Sequence, residues 1–179
     1  MAALDFADAV VSGSPRRFPN PRLVAHDGRR LRFYDDLVRG RLVLVSFLYT
    51  ECKGSCPASL RTLLATRRLA AARLGGEPDL VTLTLDPERD GAAALARYVA
   101  GHGAPPGSTC LTGAPDDLDR VRRFLGFYDP DPQVDADRSQ HGALVAMGDD
   151  RSGRWRVAST QASPAELAKL VLRLEGMTL

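Results

Sequence analysis

Cysteine is scarce in this chain, with three in 179 residues. Three thiols cannot build a disulfide-stapled framework, but a close pair with one distant cysteine is the pattern of a redox or metal site. Lysine is scarcer still, at positions 53 and 169 only, and almost all positive charge is arginine. The formal net charge is +2, which argues against an electrostatic grip on nucleic acid. The wealth of arginine and alanine reads as compositional bias and not as a binding patch. No run approaches the roughly 18 apolar residues that a membrane span needs. The opening, MAALDFADAVVSGSPRRF, carries Asp5 and Asp8 and lacks a basic leader, so it does not read as a secretory signal. These absences lead us to expect a soluble chain, cytoplasmic by its sequence, with a monomer as the default. There is no internal repeat and no low-complexity tract. A hydrophobic content of 44% fits one globular unit with one core. We expect an irregular lead-in over 1–20 and a single domain over 21–179.

Hydrophobic patterning orders the rest. RLVAHDGRRLRFYDDL reads as a hairpin, with Asp27-Gly28 as a two-residue turn and His26 beside it on the surface. RLVLVSFLY, residues 41–49, is a continuous apolar run of strand length, as expected for a strand covered on both faces. Pro57 suits the first turn of a helix that runs to about Leu74 and stops at Gly75-Gly76. DLVTLTLD is a second strand, and Asp90 is placed to cap a helix over about 91–100. STCLTG is a third strand whose Cys110 reads as a small buried thiol. Leu118, Val121 and Leu125 share one face of the next helix. Two strands joined at DDRSG follow. The last helix opens on Ser163, Pro164 and Glu166, spaced as a capping box. Alternating strands and helices imply a parallel sheet covered by helices. The antiparallel finish followed by a helix makes the expected fold α/β and thioredoxin-like, a central mixed sheet flanked by helices with an N-terminal β-hairpin extension. A flavodoxin-like sheet is the alternative.

SFLYTECKGSCP, residues 46–57, is the stretch that carries chemistry. Cys52 and Cys56 stand between a strand and its helix, at the carboxyl edge where sites of α/β sheets gather. The helix N-terminus favours a thiolate, the form that both metal binding and disulfide exchange require. A CxxxC spacing has a wider bite than CxxC. It could close as a disulfide or hold a soft metal between two sulfurs. A pair is incomplete as a metal site, so a third donor is sought among the three histidines. His102 sits in AGHGAPPG and reads as solvent-facing. His141 opens a strand after the polar loop DPDPQVDADRSQ, and would near the strand-end site if that loop folds back. The acidic 129–137 segment lacks the central glycine of a calcium loop and reads as a solvated loop at the rim. The threonine of YTEC lies two residues before Cys52, which argues against the T-x-x-C of peroxiredoxin-like folds.

At this point the residues resemble a known family. FLYTECKGSCP is similar to aromatic-x-x-T-x-C-x-x-x-C-P, LDPERD to a D-P-x-x-D segment after the second strand, and LTG and a lone late histidine follow in order. These are features of the SCO/SenC proteins, thioredoxin-like copper-binding proteins linked to cytochrome c oxidase assembly. The resemblance covers roughly 20–175. It implies that Cys52, Cys56 and His141 bind one copper per chain, as Cu(I) or Cu(II). It also implies that Asp86 is an outer or transient ligand, while Asp90 is taken for a helix cap. The implied role is a metallochaperone more than an enzyme, with an oxidase copper subunit or a thiol–disulfide partner. The implied setting is periplasmic or otherwise extracytoplasmic and membrane-associated. The alternative is a thiol–disulfide oxidoreductase that needs no metal, with Cys52 attacking because it should be the more exposed thiol. Lys53 stands where the family usually has proline, and Gly142 where it often has serine or threonine.

Overall fold

A computed structural model describes residues 18–52, 54–103, 107–137 and 143–177. Its centre is a seven-stranded sheet in the order β2-β1-β5-β4-β3-β6-β7. The strands are β1 (Arg22–Ala25), β2 (Arg30–Arg32), β3 (Leu42–Leu48), β4 (Asp79–Thr84), β5 (Ser108–Thr112), β6 (Leu144–Asp149) and β7 (Arg154–Ser159). β3, β4 and β5 run parallel, while β6, β7 and the N-terminal hairpin pair antiparallel. The helices are α1 (Ser55–Leu74), α2 (Ala92–Gly101), α3 (Pro115–Phe124), α4 (Pro132–Ala136) and α5 (Pro164–Leu174). The parallel centre with an antiparallel finish is the expected thioredoxin-like arrangement and rules out the flavodoxin-like alternative.

β3 shows why its sequence is apolar but for Ser46, whose buried hydroxyl pairs with that of Thr82 at 3.0 Å. Side chains of a strand alternate between faces. Leu44 and Leu48 join the core under α1, α2 and α5, with Leu60, Leu63, Leu95, Leu167 and Val171. Val43, Val45 and Phe47 join the opposite core with Leu118 and Val121 of α3. From Val43 to Leu48 both faces of β3 are buried. The α5 capping box forms as expected: Ser163 Oγ accepts the Glu166 N–H, and Glu166 accepts the Ser163 N–H at 2.9 Å. α1 ends at Gly75, whose φ of +73° a side chain would resist.

Four expectations are corrected. The hairpin is shorter than its pattern, and its loop has three central residues. Gly28 donates to Ala25 and takes φ +85°, and Ala25 N–H reaches Arg29 O at 2.8 Å, a turn with a glycine bulge. FYDDLV then coils into one π-helical turn, Phe33–Val38. The Asn20 side chain accepts from the Tyr34 and Asp35 N–H groups, and Asp36 accepts from Arg32 N–H at 2.6 Å. These local acceptors outcompete a strand ladder. Second, Asp90 does not cap α2. Gly91 holds that position and makes no side-chain cap. Third, the acidic segment is not simply solvated. It contains α4, and Asp135 turns inward onto Arg122 at 2.6 Å and Arg123 at 2.7 Å. Fourth, His26 is half-buried, its Nδ1 accepting the Cys110 N–H at 3.3 Å.

Candidate functional site

The cysteine pair forms where β3 hands over to α1. Past Leu48 the chain turns, and Cys52 N–H donates to Tyr49 O at 3.1 Å. α1 starts with Gly54 at its N-cap and no oxygen side chain to satisfy the free N–H groups. Sulfur takes that place: Cys56 N–H donates to Cys52 Sγ at 3.4 Å. The two thiols are therefore brought together by the helix terminus itself. Both are free and almost equally buried, 8% exposed for Cys52 and 6% for Cys56. Exposure thus does not single out Cys52 as the attacking thiol.

Electrostatics does. Burial opposes a Cys52 thiolate. Hydrogen bonds from the Cys56 thiol, the Cys56 and Gly54 N–H groups and the Tyr49 hydroxyl outweigh it and bring Cys52 down to about 7. Cys56 has the opposite environment. Burial first, and then the neighbouring Cys52 sulfur, push it up to about 12. Tyr49 is raised by its hydrogen bond to Cys52, by burial and by the nearby charges of Cys52, Cys56 and Asp137. Burial alone pushes the Cys110 thiol up to about 12, which fits an inert core thiol.

The loop before Cys52 is tied to β4 by Asp90. Its carboxylate accepts the Thr50 N–H at 3.0 Å, the Thr50 hydroxyl at 2.5 Å and the Thr84 hydroxyl at 2.6 Å. Thr84 Oγ1 in turn accepts the Asp86 N–H at 2.9 Å. Asp90 is buried to 1% exposure, and the turn that places it runs through Asp90 N–H on Asp86 O at 2.8 Å. Asp86 is buried at the same edge and faces Arg89 at 3.7 Å, which also meets Glu51 at 3.3 Å. Asp86 thus reaches the cysteine loop through Arg89 and Glu51. Among the described residues no three His, Cys, Asp or Glu side chains gather as a metal-holding group. His141 lies outside the described residues. Ala143, two positions on, lines the same small cavity as Cys56, Ser59 and Leu144. Ala143 takes φ +81°, a conformation that costs a non-glycine residue about 1–3 kcal/mol.

Sequence reasoning found the thiols but missed Tyr49 and the Thr50–Asp90–Thr84 tie. A hydroxyl two residues before Cys52 and a second acid in D-P-x-x-D were the available signals. No helix among the described residues is long and apolar enough to cross a membrane.

Comparison with known proteins follows the same lines. The family model SCO1/SenC matches residues 17–175. A candidate copper-binding protein of Stutzerimonas stutzeri is 29% identical over 159 residues, covering 87% of this chain and 76% of that protein. The mitochondrial SCO2 homolog of Mus musculus is 37% identical over 101 residues, covering 53% of this chain and 37% of its own length. Yeast Sco1 with copper bound superimposes with a TM-score of 0.71 at 18% identity, covering 93% of this chain and 97% of that one. BsSco, described as a cytochrome c oxidase assembly protein with a disulfide switch, gives 0.70 at 14% identity, covering 90% and 94%.

Proposed function

This chain belongs to the SCO1/SenC family, and from that premise we propose that it binds one copper ion through Cys52, Cys56 and His141 and hands it to a protein partner. The observation that carries the reading is the sulfur pair at the α1 terminus, with Cys56 N–H on Cys52 Sγ at 3.4 Å. Two soft sulfurs in a buried, low-dielectric setting select Cu(I) over hard cations. Copper is cargo here, so the site must release it. Three ligands hold a soft monovalent ion without closing its coordination shell. The same donors also accept Cu(II). His141 as the third ligand is supported by its place in the family pattern. It is supported too by Ala143, which lines the Cys56 cavity only two residues away, a chain reach of at most ~7 Å. Asp86 acts on the site from outside, through Arg89 and Glu51.

The partner is a copper-accepting protein such as an oxidase copper subunit, and the setting is extracytoplasmic. Relatives support both: BsSco belongs to a family of oxidase assembly proteins, and others are a Bacillus anthracis lipoprotein and mitochondrial proteins. Residues 21–179 work as one domain.

A second reading has its own observation. One thiol near 7 beside one near 12 is the asymmetry of a thiol–disulfide pair, with Cys52 attacking and Cys56 resolving. The two readings join if redox state gates loading. A disulfide between Cys52 and Cys56 removes both thiolates, so the oxidised protein takes up no stoichiometric Cu(I). Equal uptake by both forms refutes the gate.

Titration of the reduced protein with Cu(I) against a competing chelator tests the main reading. One tight copper per chain, weakened sharply by His141→Ala, is the expected result. Weak binding that ignores His141 transfers the function to disulfide exchange.

A further inference from the structure

The sheet divides the charge of this chain. α1, α2 and α5 cover one of its faces, over the core that holds Leu60, Leu95 and Leu167. Between them these helices carry one acid, Glu166, which the capping box of α5 engages. Six bases stand exposed on them: Arg61, Arg68 and Arg73 on α1, Arg97 on α2, and Lys169 and Arg173 on α5. None of the six joins an ion pair among the described residues. The opposite face is the reverse. α3 and α4 carry Asp116, Asp117, Asp119 and Asp135. Each arginine of α3 is paired there, Arg120 with Asp117 at 3.0 Å, and Arg122 and Arg123 with Asp135 at 2.6 and 2.7 Å. A compositional bias toward arginine loads both faces alike. It does not account for the acids missing from one of them. α1 is the long element of the basic face, 20 residues and so about 30 Å. Ala58, Arg61, Arg68, Leu69, Ala72 and Arg73 form its outward stripe, all exposed, with Leu69 at 49%.

Six unpaired cations on one surface attract an anionic counterpart, and Leu69 among them narrows its chemistry. A nucleic-acid backbone offers a leucine nothing. None of the three helices exposes an aromatic ring on which a base could stack, since Tyr98, their one aromatic residue, is buried. An acidic protein holds its carboxylates at fixed places, which must match the spacing of bases spread over three helices. A fluid anionic bilayer meets both demands. Its phosphates move to wherever a guanidinium stands, and its acyl boundary accepts an exposed leucine. We propose that the α1–α2–α5 face is a docking surface for an anionic lipid bilayer, with the six bases on headgroup phosphates and Leu69 at the acyl boundary. The thiols stand at the N-terminal end of α1, and buried Cys56 lies off the outward stripe, so docking leaves the pair uncovered. The inference goes beyond the copper reading and stands without it.

Co-sedimentation of the full chain with vesicles tests it. The chain partitions onto vesicles of equimolar phosphatidylcholine and phosphatidylglycerol and stays off phosphatidylcholine alone. Molar salt, which shortens the screening length to about 3 Å, releases it. Arg61→Gln, Arg68→Gln and Arg73→Gln each weaken partitioning about fivefold, and the losses multiply when two are combined. Leu69→Ser also weakens it about fivefold. All four side chains are exposed, so the circular dichroism spectrum and the melting temperature of these variants stay unchanged. Arg120→Gln, on the acidic face, leaves partitioning as it was. Equal partitioning onto both kinds of vesicle overturns the proposal, as does a loss from Arg120→Gln as large as that from Arg68→Gln. Binding to polyglutamate without binding to the anionic vesicles assigns the face to an acidic protein and overturns it too.

Discussion

At the scale of single residues, the site is defined by two thiols in opposite environments only four positions apart. Cys52 receives hydrogen bonds and Cys56 gives one, and burial works against both thiolates. Alkylation of the reduced protein with iodoacetamide should therefore label Cys52 with a midpoint at about 7, while Cys56 stays silent through neutral pH. Mass spectrometry of the labelled peptide checks this. Cys56→Ala removes a donor to the Cys52 sulfur, so the midpoint should rise. The linkage has a definite sign. Cys52 is lowered from the ordinary thiol value of 9.0, so its ionisation stabilises the fold fully above that value. That contribution is lost as pH falls through about 7. The stability difference between the reduced protein and Cys52→Ala should shrink over that window, read from urea midpoints. Cys56 and Cys110 act the other way. Unfolding lets them ionise above 9.0, so they favour the fold less and less as pH rises toward about 12.

At the scale of elements, two polar devices set how strands and helices end. Asp90 binds the loop after β3 to the end of β4 through Thr50 and Thr84. Asp90→Ala leaves the buried Thr84 hydroxyl and the part-buried Thr50 donors without their acceptor, and should cost about 2–3 kcal/mol in urea unfolding while loosening the Cys52 loop. The loosened loop should show in the same alkylation experiment, as a Cys52 midpoint moved toward the ordinary thiol value. Ser163 serves the start of α5, far from the thiols. Ser163→Ala should cost about 1 kcal/mol and leave Cys52 reactivity unchanged. The pair of variants separates a tie that matters to the site from a cap that matters only to stability.

At the scale of the whole molecule, a buried ion network anchors the acidic segment that leads toward His141. Asp135 meets Arg122 at 2.6 Å and Arg123 at 2.7 Å, and it accepts the Asp129 N–H at 3.0 Å. Arg122 also meets Asp119 at 2.6 Å and donates to Phe127 O at 2.8 Å. Removing Asp135 leaves Arg122 with Asp119 and the Phe127 carbonyl but takes away its buried carboxylate partner and the acceptor of the Asp129 N–H, so Asp135→Ala should cost about 2–3 kcal/mol. Thermal unfolding checks it, and the melting temperature should fall by several degrees or more. Asp131→Ala, an exposed N-cap of the short α4, should cost about 1 kcal/mol or less.

Much of this was legible in the chain alone. The succession of strands and main helices along the chain, the two-faced burial of β3, the α5 capping box and the cysteine pair at a helix start all follow from local signals. Periodicity, a proline, a glycine and a Ser-x-x-Glu act over a few residues, so their meaning survives without knowledge of the fold. The family pattern likewise lies in short contiguous motifs. What only the tertiary structure decided involves partners distant in sequence. Asp90 looked like a helix cap because its local context is that of a cap. Thr50, 40 residues away, claims its carboxylate instead. Asp135 looked solvated because its neighbours are polar, yet Arg122 and Arg123 draw it inward. Exposure was expected to distinguish Cys52 from Cys56, but both are buried, and the direction of a few hydrogen bonds distinguishes them. A hydrogen bond or ion pair depends on where two groups meet in space, and one stretch of sequence names only one of the two.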